Sequence, residues 1–193
     1  MIRALYDWTM RLAASKNSTW ALAAVSFAES SFFPIPPDIM LIPMVIAQRR
    51  RAWFIAAVCT LASALGGLFG YYIGYALFEV AARPVMEFYG YMDKFDEFSA
   101  VYNEYGAWIV AMAGFTPFPY KVTTIASGMV EMNLAAFFIA SVLSRGARFF
   151  LVAGLLWWAG EPIRAFIEKN LGWLTILFFL LLAGGFAAVK FVM

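Results

Sequence analysis

Apolar runs separated by short charged segments make up most of this chain, at roughly 20–48, 52–80, 105–131, 133–160 and 171–193. The second and fourth runs are unbroken and long enough to cross about 30 Å of hydrocarbon as helices. The first and third are each interrupted by paired prolines: Phe32-Phe33-Pro34-Ile35-Pro36-Pro37-Asp38 and Phe115-Thr116-Pro117-Phe118-Pro119-Tyr120-Lys121. Proline removes a backbone donor and blocks the helix behind it, so each of these runs should be two half-helices joined by a bend. Residues 20–33 reach only about 21 Å and residues 38–48 about 16 Å as helices, so neither half spans alone. Such a bend survives in a bilayer only when protein buries it or a wet cavity adjoins it.

Outside these runs the pattern turns amphipathic. Arg3, Asp7 and Arg11 recur every four residues, with Ile2, Leu5, Tyr6, Leu12 and Ala13 on the other side. Residues 1–19 are therefore expected to form an interfacial helix, and the charges exclude a secretory signal. Residues 83–104 carry Pro84 in a first-turn position and an aromatic face of Tyr91, Phe95, Phe98, Tyr102 and Tyr105, which predicts a second interfacial helix.

Composition narrows the class. Of 193 residues, 64% are hydrophobic and 13% charged, against about half and about a quarter in soluble domains. Tryptophans cluster near run ends (Trp20, Trp53, Trp108, Trp157, Trp158, Trp173), as an aromatic belt requires. Histidine is absent and Cys59 is the single cysteine. That removes Ser-His and Cys-His dyads, the histidine zinc motifs and an intramolecular disulfide. The expectation is a protein that is not an enzyme, with no cofactor, no metal and no nucleic-acid partner.

Charge then sets topology. The first run is flanked by Arg3, Arg11 and Lys16 on one side and Arg49-Arg50-Arg51 on the other. Both flanks belong in the cytoplasm by the positive-inside rule, so 20–48 is expected to enter and leave on one side as a re-entrant hairpin. The run 52–80 crosses outward, into a segment rich in Glu87, Asp93, Asp96, Glu97 and Glu104. Pro34, Pro36 and Asp38 match Pro117, Pro119 and Lys121 at a constant offset of 83 residues. With one crossing between them, the two hairpins enter from opposite faces. Hairpin 20–48 with spanning helix 52–80, and hairpin 105–131 with spanning helix 133–160, then form an inverted-topology repeat. The expected fold is all-α, with a transport unit over 20–160 and a loop plus peripheral spanning helix over 161–193.

These motifs resemble the DedA family of membrane proteins, whose shared region is also called the SNARE-associated or VTT domain. The resemblance rests on Glu29, Phe32 through Asp38, Gly66-x-x-x-Gly70-x-x-x-Gly74, Phe115 through Lys121, and Ser127-Gly128. It covers about residues 20–160 and looks closest to the YqaA-like branch. It implies re-entrant hairpins and lipid translocation between leaflets: undecaprenyl phosphate or phosphatidylethanolamine in bacterial members, some dependent on the proton gradient, and phospholipid scrambling in eukaryotic relatives. Many members read Arg-Phe-x-Pro-x-x-Arg in the second hairpin. Here Gly114 stands at the first arginine and Tyr120 at the second, with Lys121 beside it. Arg145 and Arg148, on the following helix, are the candidates to replace them.

Five charged residues within the apolar runs are candidate substrate and coupling groups, because charge in hydrocarbon marks a pathway. Glu29 is read as a proton-coupling acid, or as a structural partner of Lys121 or Arg148. Asp38 either caps the helix after the prolines, serves function, or does both. Lys121 offers three donors to a phosphate, or pairs with Asp38. Arg145 and Arg148 share one helical face and either fork onto phosphate oxygens or snorkel to an interface. Pro34, Pro36, Pro37, Pro117 and Pro119 form the hairpin tips, and Gly66, Gly70 and Gly74 let another helix approach closely.

The function expected is a transporter moving a phosphate-bearing lipid between leaflets of a bacterial inner membrane, with protons as a coupling partner and a homo-oligomer allowed. The alternatives are a small-ion or solute exchanger and a membrane assembly factor. An intramembrane enzyme would have only Ser30, Ser31, Thr116 or the carboxylates to use.

Overall fold

The computed structural model describes residues 17–32, 36–116 and 119–159, and they are helical throughout. The expected amino-terminal interfacial helix, the carboxy-terminal spanning helix, Pro34 and Pro117 lie outside the described residues. Helix α1 is Ser18–Ser31 and α2 is Asp38–Ala47, with the first proline break between them. A 3-10 turn, Arg49–Arg51, leads into α3, Ala52–Leu77. A π-helical segment, Phe78–Ala82, joins α3 to the short α4, Arg83–Tyr89. Helix α5 is Met92–Phe115, α6 is Tyr120–Met129 after the second break, and α7 is Leu134–Ala159. The two long apolar helices, within 49–89 and 134–158, each have the length and composition to cross a bilayer.

Helix ends follow from local chemistry. The proline carbonyls start the helices behind them: Met40 N donates to Pro37 O at 2.9 Å, and Val122 N to Pro119 O at 3.0 Å. Asn133 Oδ1 accepts from Ala136 N at 3.0 Å and caps α7. Pro84 has no N–H to give to the turn before it, and the wider π turn at 78–82 absorbs that lost bond. The apolar helix therefore runs on past Val80 to Tyr89 instead of stopping near 80. Likewise α5 is continuous across 104/105, where a boundary between interfacial helix and hairpin arm was expected. No proline or other breaker stands between Met92 and Phe115, and Gly106 lies in the helix with the Met132 side chain filling the space beside it. Of the aromatic face, Phe95 turns inward to stack on Phe78 at 4.4 Å and Tyr102 is buried, while Tyr91, Phe98 and Tyr105 are exposed.

Helix α3 is the centre of the molecule and packs on α1, α6 and α7; α7 packs in turn on α5 and α2. Side-chain register gives the directions. Ser26 meets Cys59, Ser30 meets Ser63 and Ser31 meets the Gly66 carbonyl, so α1 and α3 run the same way. Gly67, Gly70 and Gly74 face Tyr120, Thr124 and Ile125 in that order, so α6 runs with them. Trp53, Ser63 and Tyr71 face Trp157, Arg145 and Phe137, so α7 runs against α3. Asp38 bonds Arg148 and Arg49 bonds Trp157, so α2 runs with α7.

Much of this packing is polar at close range. A Cβ on Gly66 would strike the Phe27 carbonyl, one on Gly74 the Ile125 carbonyl, and one on Gly128 the Tyr71 carbonyl. Small residues let backbones meet where lipid supplies no hydrophobic drive for helix association. The glycine spacing expected for helix packing thus serves two neighbours, α1 through Gly66 and α6 through Gly74.

Candidate functional site

The two proline breaks bring charge to one place on α7. Arg145 is almost fully enclosed, with 1% of its side chain exposed. Its Nη2 donates to Glu29 Oε2 at 2.6 Å and its Nε to Ser63 Oγ at 2.6 Å. Ser30 Oγ lies 2.7 Å from Ser63 Oγ and donates to Glu29 Oε2 at 3.2 Å. The four groups close a ring between the last turn of α1, the middle of α3 and the middle of α7. The Arg145 guanidinium also lies 4.9 Å from the Tyr120 ring centroid and 4.7 Å from that of Phe149. Charge, hydrogen bonds and aromatic faces together compensate the desolvation of a buried guanidinium.

One turn further on, Arg148 Nη2 donates to Asp38 Oδ2 at 2.5 Å, and its Nη1 to the Thr116 carbonyl at 3.3 Å. Asp38 is the first residue of α2, and Thr116 follows the last residue of α5. A single guanidinium thus holds a residue of each break. Both partners of this pair are 18% exposed.

Glu29 therefore pairs with Arg145, where Lys121 or Arg148 was expected. Asp38 is the first helical residue, behind the N-cap Pro37, and its carboxylate is turned toward α7, where it pairs with Arg148. Lys121 is half-buried and forms no ion pair among the described residues. Its backbone is anchored: Thr124 Oγ1 donates to the Lys121 carbonyl at 2.9 Å and lies 3.1 Å from the Ser30 carbonyl. The first turn of α6 thereby touches the last turn of α1 beside Glu29. Arg145 and Arg148 do not snorkel; the helix carries them inward, onto carboxylates.

Gly114 explains the vacancy in the second motif. A Cβ there would collide with Ser144 Oγ and come within 3.6 Å of Arg145 Cγ. The space beside residue 114 is filled from the opposite helix by Ser144 and the stem of Arg145. Ser63, Tyr120 and Phe149 belong to the site and were not legible as such in the sequence. Tyr120 carried one signal, its place at the second arginine of the motif, and Ser63 another, as a small polar residue in an apolar run. The hydroxyls of Ser31 and Thr116 are spent on backbone carbonyls, Ser31 on Phe27 and on Gly66 across in α3, and Thr116 on Met112.

A molecule helical across the described residues, with two helices long and apolar enough to cross a bilayer, is of the membrane-protein class. The VTT domain model matches residues 35–157, and the chain belongs to the VTT-domain family. It is similar to an uncharacterised protein of Haemophilus influenzae, 37% identical over 175 residues, covering 89% of this chain and 91% of that protein. A relative from Histophilus somni, also uncharacterised, is 38% identical over 176 residues, covering 90% and 92%. An uncharacterised protein of Methanocaldococcus jannaschii is 28% identical over 123 residues, covering 63% and 72%. No solved structure matches.

Proposed function

We propose that this protein moves a lipid with a phosphodiester head group between the leaflets of a bacterial inner membrane, as a member of the YqaA-like branch of its family. One observation carries the reading: Arg145 and Arg148 are each matched by a carboxylate, while Lys121, in the first turn of α6 next to the residue that faces Arg145, has no carboxylate partner among the described residues. Among the described residues Glu29 and Asp38 each neutralise one arginine, and Lys121 is left over. An uncompensated cation in a half-buried position costs free energy unless an anion visits it. A phosphodiester brings one negative charge and balances the set; a phosphomonoester with its second charge would overshoot.

Helix directions support a transport topology. α1 and α3 run together with α2 reversed between them; α5 and α7 run together with α6 reversed between them, and the second trio is opposite to the first. That is the order expected of two re-entrant hairpins, each followed by a spanning helix, in an inverted repeat. The arginines at 49–51 favour a cytoplasmic entry for the first hairpin. In this reading the head group passes between the breaks while the acyl chains stay in lipid. Lys121 and Arg148 meet the phosphate, Arg145 remains on Glu29, and proton coupling enters through Asp38, the carboxylate whose partner is more exposed.

The test is lipid movement in proteoliposomes with fluorescent phosphatidylglycerol, phosphatidylethanolamine and a polyprenyl phosphate. Wild type is expected to move the two phosphodiesters fastest. Lys121→Met should slow them at least about tenfold, the effect of losing one charge-assisted contact, and Lys121→Arg should retain most of the rate. Folded protein that moves none of the three lipids would overturn the reading, and ionic current in its place would point to a small-ion exchanger.

A further inference from the structure

Two ion pairs of the same chemistry stand three residues apart on α7, yet their surroundings differ. Arg145 and Glu29 are 1% and 15% exposed, held by Ser63 and Ser30 and covered by two aromatic rings. Arg148 and Asp38 are each 18% exposed, and Arg148 has one further bond, a 3.3 Å contact to the Thr116 carbonyl. Among the described residues no ring covers Arg148. We infer that the two pairs divide the work: Arg145–Glu29 is a permanent pin between α1, α3 and α7, and Arg148 is a latch that holds the two proline breaks together and opens when an anion replaces Asp38.

The geometry separates these roles. Opening the pin would expose a carboxylate, a guanidinium and two hydroxyls in the tightest part of the core, where each unpaired group is costly. Opening the latch frees one partly exposed carboxylate at the start of α2. It leaves Arg148 with the parallel donors that a phosphate oxygen pair accepts in fork geometry. Carboxylate and phosphate compete for the same guanidinium, so the incoming anion itself releases the break that Asp38 anchors. Among the described residues Asp38 and the Thr116 carbonyl tie the breaks to Arg148. Exchanging the first bond lets the start of α2 move away, while the contact of Thr124 with the Ser30 carbonyl keeps α6 on α1. The device rests on the cargo reading above only for the identity of the anion; the latch and the pin stand on the contacts alone.

Spin labels at Ile39 and Val122, both exposed on the helices that follow the breaks, report the separation of the breaks in a Cys59→Ser background. The full chain is measured in uncharged detergent by pulsed dipolar spectroscopy, together with thermal unfolding. Asp38→Asn and Arg148→Gln are expected to lengthen and broaden the distance distribution while the melting temperature falls by no more than a few degrees. Glu29→Gln is expected to lose on the order of 10 °C with its distance distribution unchanged below the transition. An unchanged distribution in both Asp38→Asn and Arg148→Gln overturns the latch. Equal opening in Glu29→Gln and Asp38→Asn overturns the division of roles. Adding dihexanoyl phosphatidylglycerol to wild type, with inorganic phosphate in parallel, then tests the cargo separately. Opening by the lipid alone supports a head-group site, and opening by both supports a free-anion site. If neither opens a latch that the variants do open, the cargo reading fails while the latch stands.

Discussion

Glu131 holds the one backbone conformation in the described residues that its side chain disfavours. Its φ is 52°, in the left-handed region, and it closes α6 with Glu131 N bonded to the Gly128 carbonyl and Met132 N to the Ser127 carbonyl. The same pair of bonds ends α4, where Gly90 at φ 68° takes the left-handed place. Glycine carries no penalty there, while a Cβ costs about 1 kcal/mol. Glu131→Gly is therefore expected to stabilise the protein by about 1 kcal/mol, seen as a higher melting temperature in detergent. The charges of the site are the other lesson at this scale. Glu29, Asp38, Lys121, Arg145 and Arg148 stood out because apolar runs make any charge conspicuous. Their pairing did not, since each carboxylate had several cations to choose from.

Elements succeed or fail here on a few close approaches. Helix α6 meets α3 with Gly74 against the Ile125 carbonyl and Gly128 against the Tyr71 carbonyl. Those contacts are between backbones, so no rotamer change makes room for a side chain. Gly74→Leu is expected to part the two helices at a cost of several kcal/mol, comparable to severe overpacking, and to remove Tyr120 from Arg145. Size-exclusion profile and thermal unfolding of the purified variant would check it; a monodisperse protein with wild-type melting would refute the contact. The spacing of Gly66, Gly70 and Gly74 was legible as a packing face. That it serves α1 at one end and α6 at the other was not, because the repeat that would bring α6 there is a long-range relation.

At the scale of the whole molecule, one contact ties the turn before α3 to α7. Arg49 Nε donates to the Trp157 carbonyl at 2.9 Å and its Nη2 to the Trp158 carbonyl at 3.2 Å, as well as to Trp157. The guanidinium adds charge-assisted bonds to these two carbonyls and ties α7 to the turn at 49–51. Arg49→Gln is expected to cost about 1 kcal/mol and to loosen α7 around Trp157, with faster amide exchange in 155–159 as the readout and no such change for Arg50→Gln. Arg49 thus has a second role beside the topological one read from its charge.

Periodicity, composition and proline placement by themselves determined a great deal: an all-helical membrane protein, two breaks at an offset of 83 residues, long apolar helices near 52–80 and 133–160, and five charged positions inside apolar runs. These are local properties, since apolar length, a missing backbone N–H and charge in hydrocarbon act wherever the chain goes. Tertiary structure alone decided that Glu29 goes to Arg145 and Asp38 to Arg148, that Lys121 keeps its charge unmatched among the described residues, and that Ser63, Tyr120 and Phe149 complete the site. Those outcomes depend on which helix faces which and in what direction. Pairing energies fall off within a few ångströms, so they are settled by the register of α1, α3, α6 and α7 and not by any segment read alone.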